Sequence, residues 1–590
     1  MRVLTLLQVL PLSLALAGNS GPSGHHGPSC KASPDGDDWP SPSQWAALSK
    51  SVDGRLFVPT PPGAVCHPGE RSYDPERCVV VQSEWIAWGF HEQDAVSTAI
   101  NNFNNDTCLP EPDYPCSPGG YPRLVVNATQ VEHVKRAVEF AKKHSLRLNI
   151  KATGHDFLGR SNAPNSLSIW THHMKGMEFH DSFKPKGCRT SIDTTAISAE
   201  AGSQMYELYT ALDARGQTLV GGGGKTVGIG GYVTGGGHSI LSGKHGLAAD
   251  NVLEVEMVTP EGKFLIANEC QNEDLFWAVR GGGGSTFGVL TSITMHTFPT
   301  PTMPNLIFAA ILPLGDPQLV DLWAYGLSHL PHLVSSGVYG YMYLLPAFPL
   351  PGSVGDETTD TVVSGFYFTG LMPGQPDVST FDTVMAPLMA EMNTKFESLT
   401  LASYTVMYDN FLDWYNLNHD QSTTGEDMYL GSRLFDEKSL TADEDALREM
   451  LEKVVAPYPS GSLAHFIGGE GVWNAEPRGG SNAVLPAWRN IVSHQTVNAK
   501  FPPLNVTAEQ EARRIIETRV SYLRELTPDT GSYVNEAYVY EPDFQHAFWG
   551  NNYDRLLAIK RRIDPLDVLW CHPCVGNERW EEVGGKLCKV

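Results

Sequence analysis

Glycine density between residues 151 and 300 constrains this chain more than any other feature. Four glycine-bearing loops lie there, around Gly154, Gly221–Gly224, Gly235–Gly237 and Gly281–Gly284. They alternate with short apolar strands predicted over Val252–Val258 and Val289–His296. Each interior glycine costs a helix about 1 kcal/mol relative to alanine, so this region excludes a helical bundle. It points instead to strands joined by tight loops.

Two simple motif readings fail. GGGGKT at Gly221–Thr226 lacks the glycine that a phosphate loop needs five positions before Gly224, where Leu219 stands. A G-x-G-x-x-G fingerprint fails after Gly228-Ile229-Gly230, which meets Val233, and after Gly235-Gly236-Gly237, which meets Ile240. Successive backbone N–H groups in such loops can still line an anion closely. A dinucleotide held by several loops fits the pattern better than four unrelated turns.

The N-terminal stretch MRVLTLLQVLPLSLALAG has one Arg, an apolar run and the small-x-small triplet Ala15-Leu16-Ala17. That is the layout of a secretion signal over 1–17. Residues 18–119 read as an irregular, cysteine-bearing extension. In an oxidising compartment the ten cysteines favour structural disulfides over a redox pair or half a zinc site at Cys571-His572-Pro573-Cys574; no metal site is expected. Sequons at Asn105, Asn127 and Asn505 fit N-glycans. A net charge of −24 argues against nucleic acid and anionic membrane as partners. Oligomeric state is not legible.

From Pro122 a strand (Leu124–Val126), a helix from Thr129 and a strand (Leu146–Ala152) form one unit. After Asn305 the predicted strands NLIFAAIL, VYGYMYLL and VVSGFYFTG, with a helix LTADEDALREMLEKVV, describe an antiparallel sheet with covering helices. Thr507 opens a further helix, with Gln510 at the capping-box position, and YVNEAYVY reads as a polar strand.

Three ordered segments, KATGHDFLGRS (151–161), LVGGGGKTVGIGGYVTGGGHSILSGKHGLAADNVLEVEMV (219–258) and DLFWAVRGGGGSTFGVLT (274–291), resemble the berberine bridge enzyme-like flavoproteins of the vanillyl-alcohol-oxidase superfamily. Residues 533–565 are similar to that family's terminal segment, and the cysteine-rich start and CHPC ending resemble its fungal isoamyl-alcohol-oxidase-like branch. The resemblance implies an α+β fold: a two-subdomain FAD-binding region over 120–300, a substrate domain over 301–530, and a segment over 531–590 returning to the FAD region. It implies a secreted FAD-linked oxidase. Hydride passes from an alcohol or secondary metabolite to the flavin, and oxygen is reduced to hydrogen peroxide. The alternatives are a dehydrogenase with another electron acceptor and a flavin-retaining protein without catalysis.

Residue by residue, His155 matches the family's flavin-linking histidine. Gly224 stands where bicovalent relatives carry Cys, which implies one covalent link. Lys225 is expected near the ring edge. Thr153, Gly154, Asp156, Gly159, Arg160, Ser161, Thr226, Gly228, Gly230, Gly231, Gly235, Gly236, Gly237 and His238 are the implied flavin contacts. Gly246, Asp250, Val255 and Asn535 complete that set. For the acid–base role the candidates are Glu470, Tyr533 and Glu536, with His238 beside them. Period-two alternation places Tyr533 and Asn535 on one face of the predicted strand and Glu536 on the other. Trp414, Tyr415, Tyr429, Trp473 and Trp488 suggest an aromatic substrate pocket.

Overall fold

The strand–helix–strand unit after Pro122 organises the first layer. In the computed structural model, which describes residues 30–350 and 361–590, the helix Val131–Lys143 buries Val134, Ala137, Val138 and Ala141. These recur at helical spacing and form one stripe. Glu132 in the first turn and Lys142 and Lys143 in the last complement the helix dipole. The stripe packs on strands Leu124–Asn127, Leu148–Lys151 and Leu167–Trp170, which pair in parallel. The predicted signal segment lies outside the described residues.

A second sheet of five antiparallel strands follows, in the order Met177–His180, Ala196–Glu200, Val289–His296, Val252–Val258, Phe264–Asn268. The third is a seven-stranded antiparallel sheet. Its order is Thr400–Tyr408, Met303–Pro313, Thr361–Leu371, Tyr339–Leu350, Ser462–Phe466, Ile491–Phe501, Asp427–Asp436. Helices Leu319–Ser328, Glu444–Val454 and Val506–Leu526 cover it. Trp323, on the first of these helices, is buried against the sheet, its indole N–H donating to the Gly365 carbonyl at 2.7 Å. The fold is α+β.

Three expectations are corrected. The segment before Pro122 is not irregular: it holds helices Pro42–Ser51, Pro75–Glu84 and Trp88–Gln93, and Leu56–Phe57 adds an antiparallel edge to the first sheet. The last long helix starts at Val506, capped by the Asn505 side chain, which accepts from the Ala508 N–H at 3.0 Å. Thr507 and Gln510 therefore form no capping box. Residues 533–540 are not a strand but a turn, closed by Glu536 N–H on the Tyr533 carbonyl at 2.9 Å.

The C-terminal residues pack against the glycine loop around Gly281–Gly284. The Trp549 indole donates to the Gly281 carbonyl at 3.1 Å, and buried Lys560 donates to the Thr286 carbonyl at 2.9 Å. Five disulfides pair all ten cysteines: Cys30–Cys588, Cys66–Cys78, Cys108–Cys116, Cys188–Cys270 and Cys571–Cys574. The first joins the two ends of the described chain.

Candidate active site

A cavity of about 830 Å³ opens where the glycine loops meet the large sheet. Its floor is the loop after Leu148–Lys151. Gly154 turns there with φ +88°, a conformation other residues rarely adopt. Asp156 shapes the loop beyond. One of its carboxylate oxygens accepts from Arg160 Nε and Nη2 at 3.0 and 2.8 Å, and the other from the Ser161 N–H at 3.0 Å. The Thr153 hydroxyl accepts from the Gly228 N–H at 3.2 Å, tying this loop to the second glycine stretch.

His155 projects from the floor. Its Nε2 lies 2.6 Å from the Thr226 hydroxyl, and its ring stacks on Trp88 with centroids 4.0 Å apart and 11° between planes. Burial drives its pKa down to about 3, so the imidazole is neutral, with a lone pair available. Trp88 comes from the segment read as an extension. Lys151, fully buried, ties that segment to the floor by donating to the carbonyls of His91 (3.0 Å) and Asp94. Neither role has a signature in the sequence.

Gly224 lies against His155. A Cβ there would meet the imidazole Cε1 at 3.7 Å and otherwise only Val227. At Gly231, on the cavity wall, a Cβ would meet no protein atom within 4 Å. The wall thus offers open backbone that a bulky planar ligand can approach. Gly228, Gly230, Gly283 and Gly284 line the same side.

The opposite wall is one face of the large sheet. Ile307, Thr369, Tyr341, His465 and His494 form a single cross-strand row. Tyr343 and Tyr367, one row over, stack at 4.7 Å. Trp414 joins them, its indole donating to Asn305 Oδ1 at 3.0 Å. The period-two tyrosines of VYGYMYLL are the sequence signal for this face.

The third wall is the 533–536 turn, which brings Tyr533, Asn535 and Glu536 to one place despite their predicted opposite faces. Asn535 is a hub. It accepts from Arg160 Nη2 at 3.1 Å and donates to the Gly231 carbonyl at 3.1 Å and the Tyr533 hydroxyl at 3.0 Å. Glu536 places both carboxylate oxygens 3.3 Å from His238 Nε2. Burial alone would raise its pKa, but the facing His238 imidazole outweighs that and holds the carboxyl well below the usual range. Burial, with some help from the Glu536 charge, keeps the Tyr533 phenol protonated far above its ordinary value. Tyr533 is therefore a neutral phenol whose oxygen accepts from Asn535, not a base.

Several predicted site residues fall elsewhere. Glu470 is exposed, at the start of the short helix Glu470–Trp473, outside the cavity. Lys225 lies over the Tyr206 ring at 4.8 Å instead of facing the cavity. Asp250 is held by Arg489 in a bidentate pair at 2.7 and 2.9 Å and braces the turn at Gly246. Val255 is buried between strands. Gly159 backs onto Phe103, and Gly235 onto Asn535. Gly236 and Gly237 accept backbone bonds from Ala249 and Ala248. Of the proposed pocket aromatics only Trp414 lines the cavity. Tyr415, Tyr429, Trp473 and Trp488 are not among the residues that line it.

This architecture has relatives over its whole length. Residues 122–268 match the FAD binding domain family, and 532–576 match the berberine and berberine-like family. An FAD-linked oxidoreductase of Arthroderma benhamiae is 35% identical, with 98% of each chain covered. The chain belongs to the FAD-linked oxidoreductases of the vanillyl-alcohol-oxidase type. The flavoprotein oxidase VAO615 of Thermothelomyces thermophilus is 32% identical over 98% of this chain and 99% of its own. The crystal structure of MtVAO713 from Myceliophthora thermophila superposes with a TM-score of 0.86 at 30% identity, covering 96% of this chain and all of that one. This flavoprotein's cofactor is FAD, and the wall that glycines leave open beside His155 fits a flavin. Among the described residues no helix is long and apolar enough to cross a membrane.

Proposed function

We propose that this flavoprotein is a secreted oxidase whose FAD is bonded once, through His155, and whose substrate is an alcohol-bearing secondary metabolite. The observation that carries the reading is His155 itself: a neutral imidazole on the cavity floor, fixed by Thr226 and Trp88. A neutral nitrogen is the nucleophile that adds to the flavin 8α carbon. No second attachment is available from sulfur. Gly224 occupies the neighbouring position, and all ten cysteines are bridged.

When bound, the flavin supplies a two-electron acceptor for hydride and passes the electrons to oxygen, yielding hydrogen peroxide. The chain's residues handle the proton. An alcohol carbon releases hydride readily only as its O–H proton leaves. Glu536, facing the cavity, accepts that proton, and its carboxylate is positioned 3.3 Å from His238 Nε2. The protonated Tyr533 hydroxyl and Asn535 orient the turn that carries it. Tyr341, Tyr343, Tyr367 and Trp414 give the substrate an aromatic wall.

Secretion is supported by the leader sequence and the complete set of disulfides. Asn105 and Asn505 are exposed and open to glycans, whereas Asn127 is half-buried and bonded to His173 at 2.9 Å. A substrate screen that follows peroxide and flavin bleaching tests the oxidase reading. Bleaching that is not reversed by air would point to another electron acceptor.

A further inference from the structure

His238, His494 and Glu536 form a cluster whose ligand atoms all lie within 4.8 Å of one another. Two clusters of similar composition elsewhere, at Cys108–Cys116 and Cys188–Cys270, have their sulfurs locked in disulfides. This one keeps every donor. His494 is 0% exposed, yet neither ring nitrogen has a hydrogen-bond partner, and His238 Nδ1 has none either. Buried polar atoms without partners are rare and costly. His494 Nδ1 lies 3.6 Å from Glu536, and His238 Nε2 lies 3.3 Å from it.

Those distances are long for charged hydrogen bonds, which run at about 2.7–2.9 Å. These two separations also suit a different geometry. A tetrahedral zinc ion with ligands about 2.0–2.1 Å away sets its ligand atoms about 3.3–3.4 Å apart. Two imidazoles and a carboxylate are a usual three-ligand set, leaving one position open. Here the open side faces the cavity, which Glu536, His238 and His465 all line.

We propose that His238, His494 and Glu536 bind a divalent first-row cation such as Zn²⁺ at the cavity wall. Binding consists of lone-pair donation by two nitrogens and one carboxylate oxygen, with no change in oxidation state. It also occupies the carboxylate assigned above as proton acceptor. A bound cation therefore slows substrate oxidation, a consequence that rests on the proposed role of Glu536. The site itself does not rest on it.

The test is titration calorimetry of untagged, chelator-stripped holoenzyme with Zn²⁺ alone. The expected result is one ion per chain, with affinity weakened at least about tenfold in Glu536→Gln and in His494→Gln. Retained flavin absorbance and an unchanged unfolding midpoint show that each variant is folded. No saturable binding, or equal affinity in wild type and both variants, overturns the site. Stoichiometric binding with an unchanged rate of flavin reduction by substrate would uphold the site and refute Glu536 as proton acceptor.

Discussion

Replacing Gly235 by alanine should disturb the active-site wall through one side chain. A Cβ at 235 would sit 2.2 Å from Asn535 Nδ2 and 2.4 Å from its Cγ and Oδ1. Backbone strain is not involved, since Gly235 has φ −87°. The amide must move, and it is held by Arg160, the Gly231 carbonyl and the Tyr533 hydroxyl. Two part-buried hydrogen bonds and one exposed one, at about 0.5–1.5 kcal/mol each, put the cost at up to about 1.5–4.5 kcal/mol. Gly231→Ala is the matched comparison, because nothing in the protein lies within 4 Å of its Cβ. Gly231 lies inside the helix Ile229–Thr234, so alanine there should not destabilise the protein and should raise its stability by up to about 1 kcal/mol. The space beside Gly231 is cavity, so this variant should instead incorporate less flavin. Urea unfolding of flavin-free protein, and flavin content per chain, separate the two effects. Equal destabilisation by both substitutions would refute the assignment of Asn535 as the hub and of the Gly231 space as the flavin's.

Other consequences are equally direct. Glu536→Gln should keep flavin and fold while lowering the rate of substrate oxidation by about 10²–10⁴-fold, as read by anaerobic flavin bleaching; an unchanged rate excludes it as the proton acceptor. Thr226→Val removes the hydroxyl beside His155 Nε2. A bond worth about 0.5–1.5 kcal/mol corresponds to covalent flavin incorporation slowed roughly 2- to 10-fold, with Thr226→Ser restoring it. Burial lowers the His91 pKa from 6.5 to about 4. Its depressed value leaves stability intact above pH 6.5 and removes it as pH falls toward 4. By pH 5 the loss is about 2 kcal/mol at 1.36 kcal/mol per unit, measurable as a lower urea midpoint that His91→Asn should largely flatten.

The sequence carried the architecture because its signals were local. The helical stripe Val134, Ala137, Val138, Ala141 and the apolar strands of the large sheet each report their own element. Glycine density marked the loops that hold His155, Asp156, Arg160 and Gly228, but these residues were assigned only through the family resemblance of those loops. Acid–base residues were harder. Tyr533, Asn535 and Glu536 alternate like a strand, yet a turn gathers them on one wall, since their side chains are satisfied by Gly231, Arg160 and His238 from distant loops. Trp88 and His494 reach the site only through tertiary packing. No spacing rule links residue 88 to 155 or 494 to 536. Glu470 and Lys225 looked chemical in sequence but face away from the cavity.

The covalent histidyl flavin is the central claim, and peptide mapping tests it most directly. Protein precipitated in acid should remain yellow, and proteolysis should give one flavin-bearing peptide, spanning His155, with no flavin on any cysteine peptide. His155→Ala should lose all acid-stable flavin. Flavin released entirely by acid, or retained covalently after that substitution, would contradict the account.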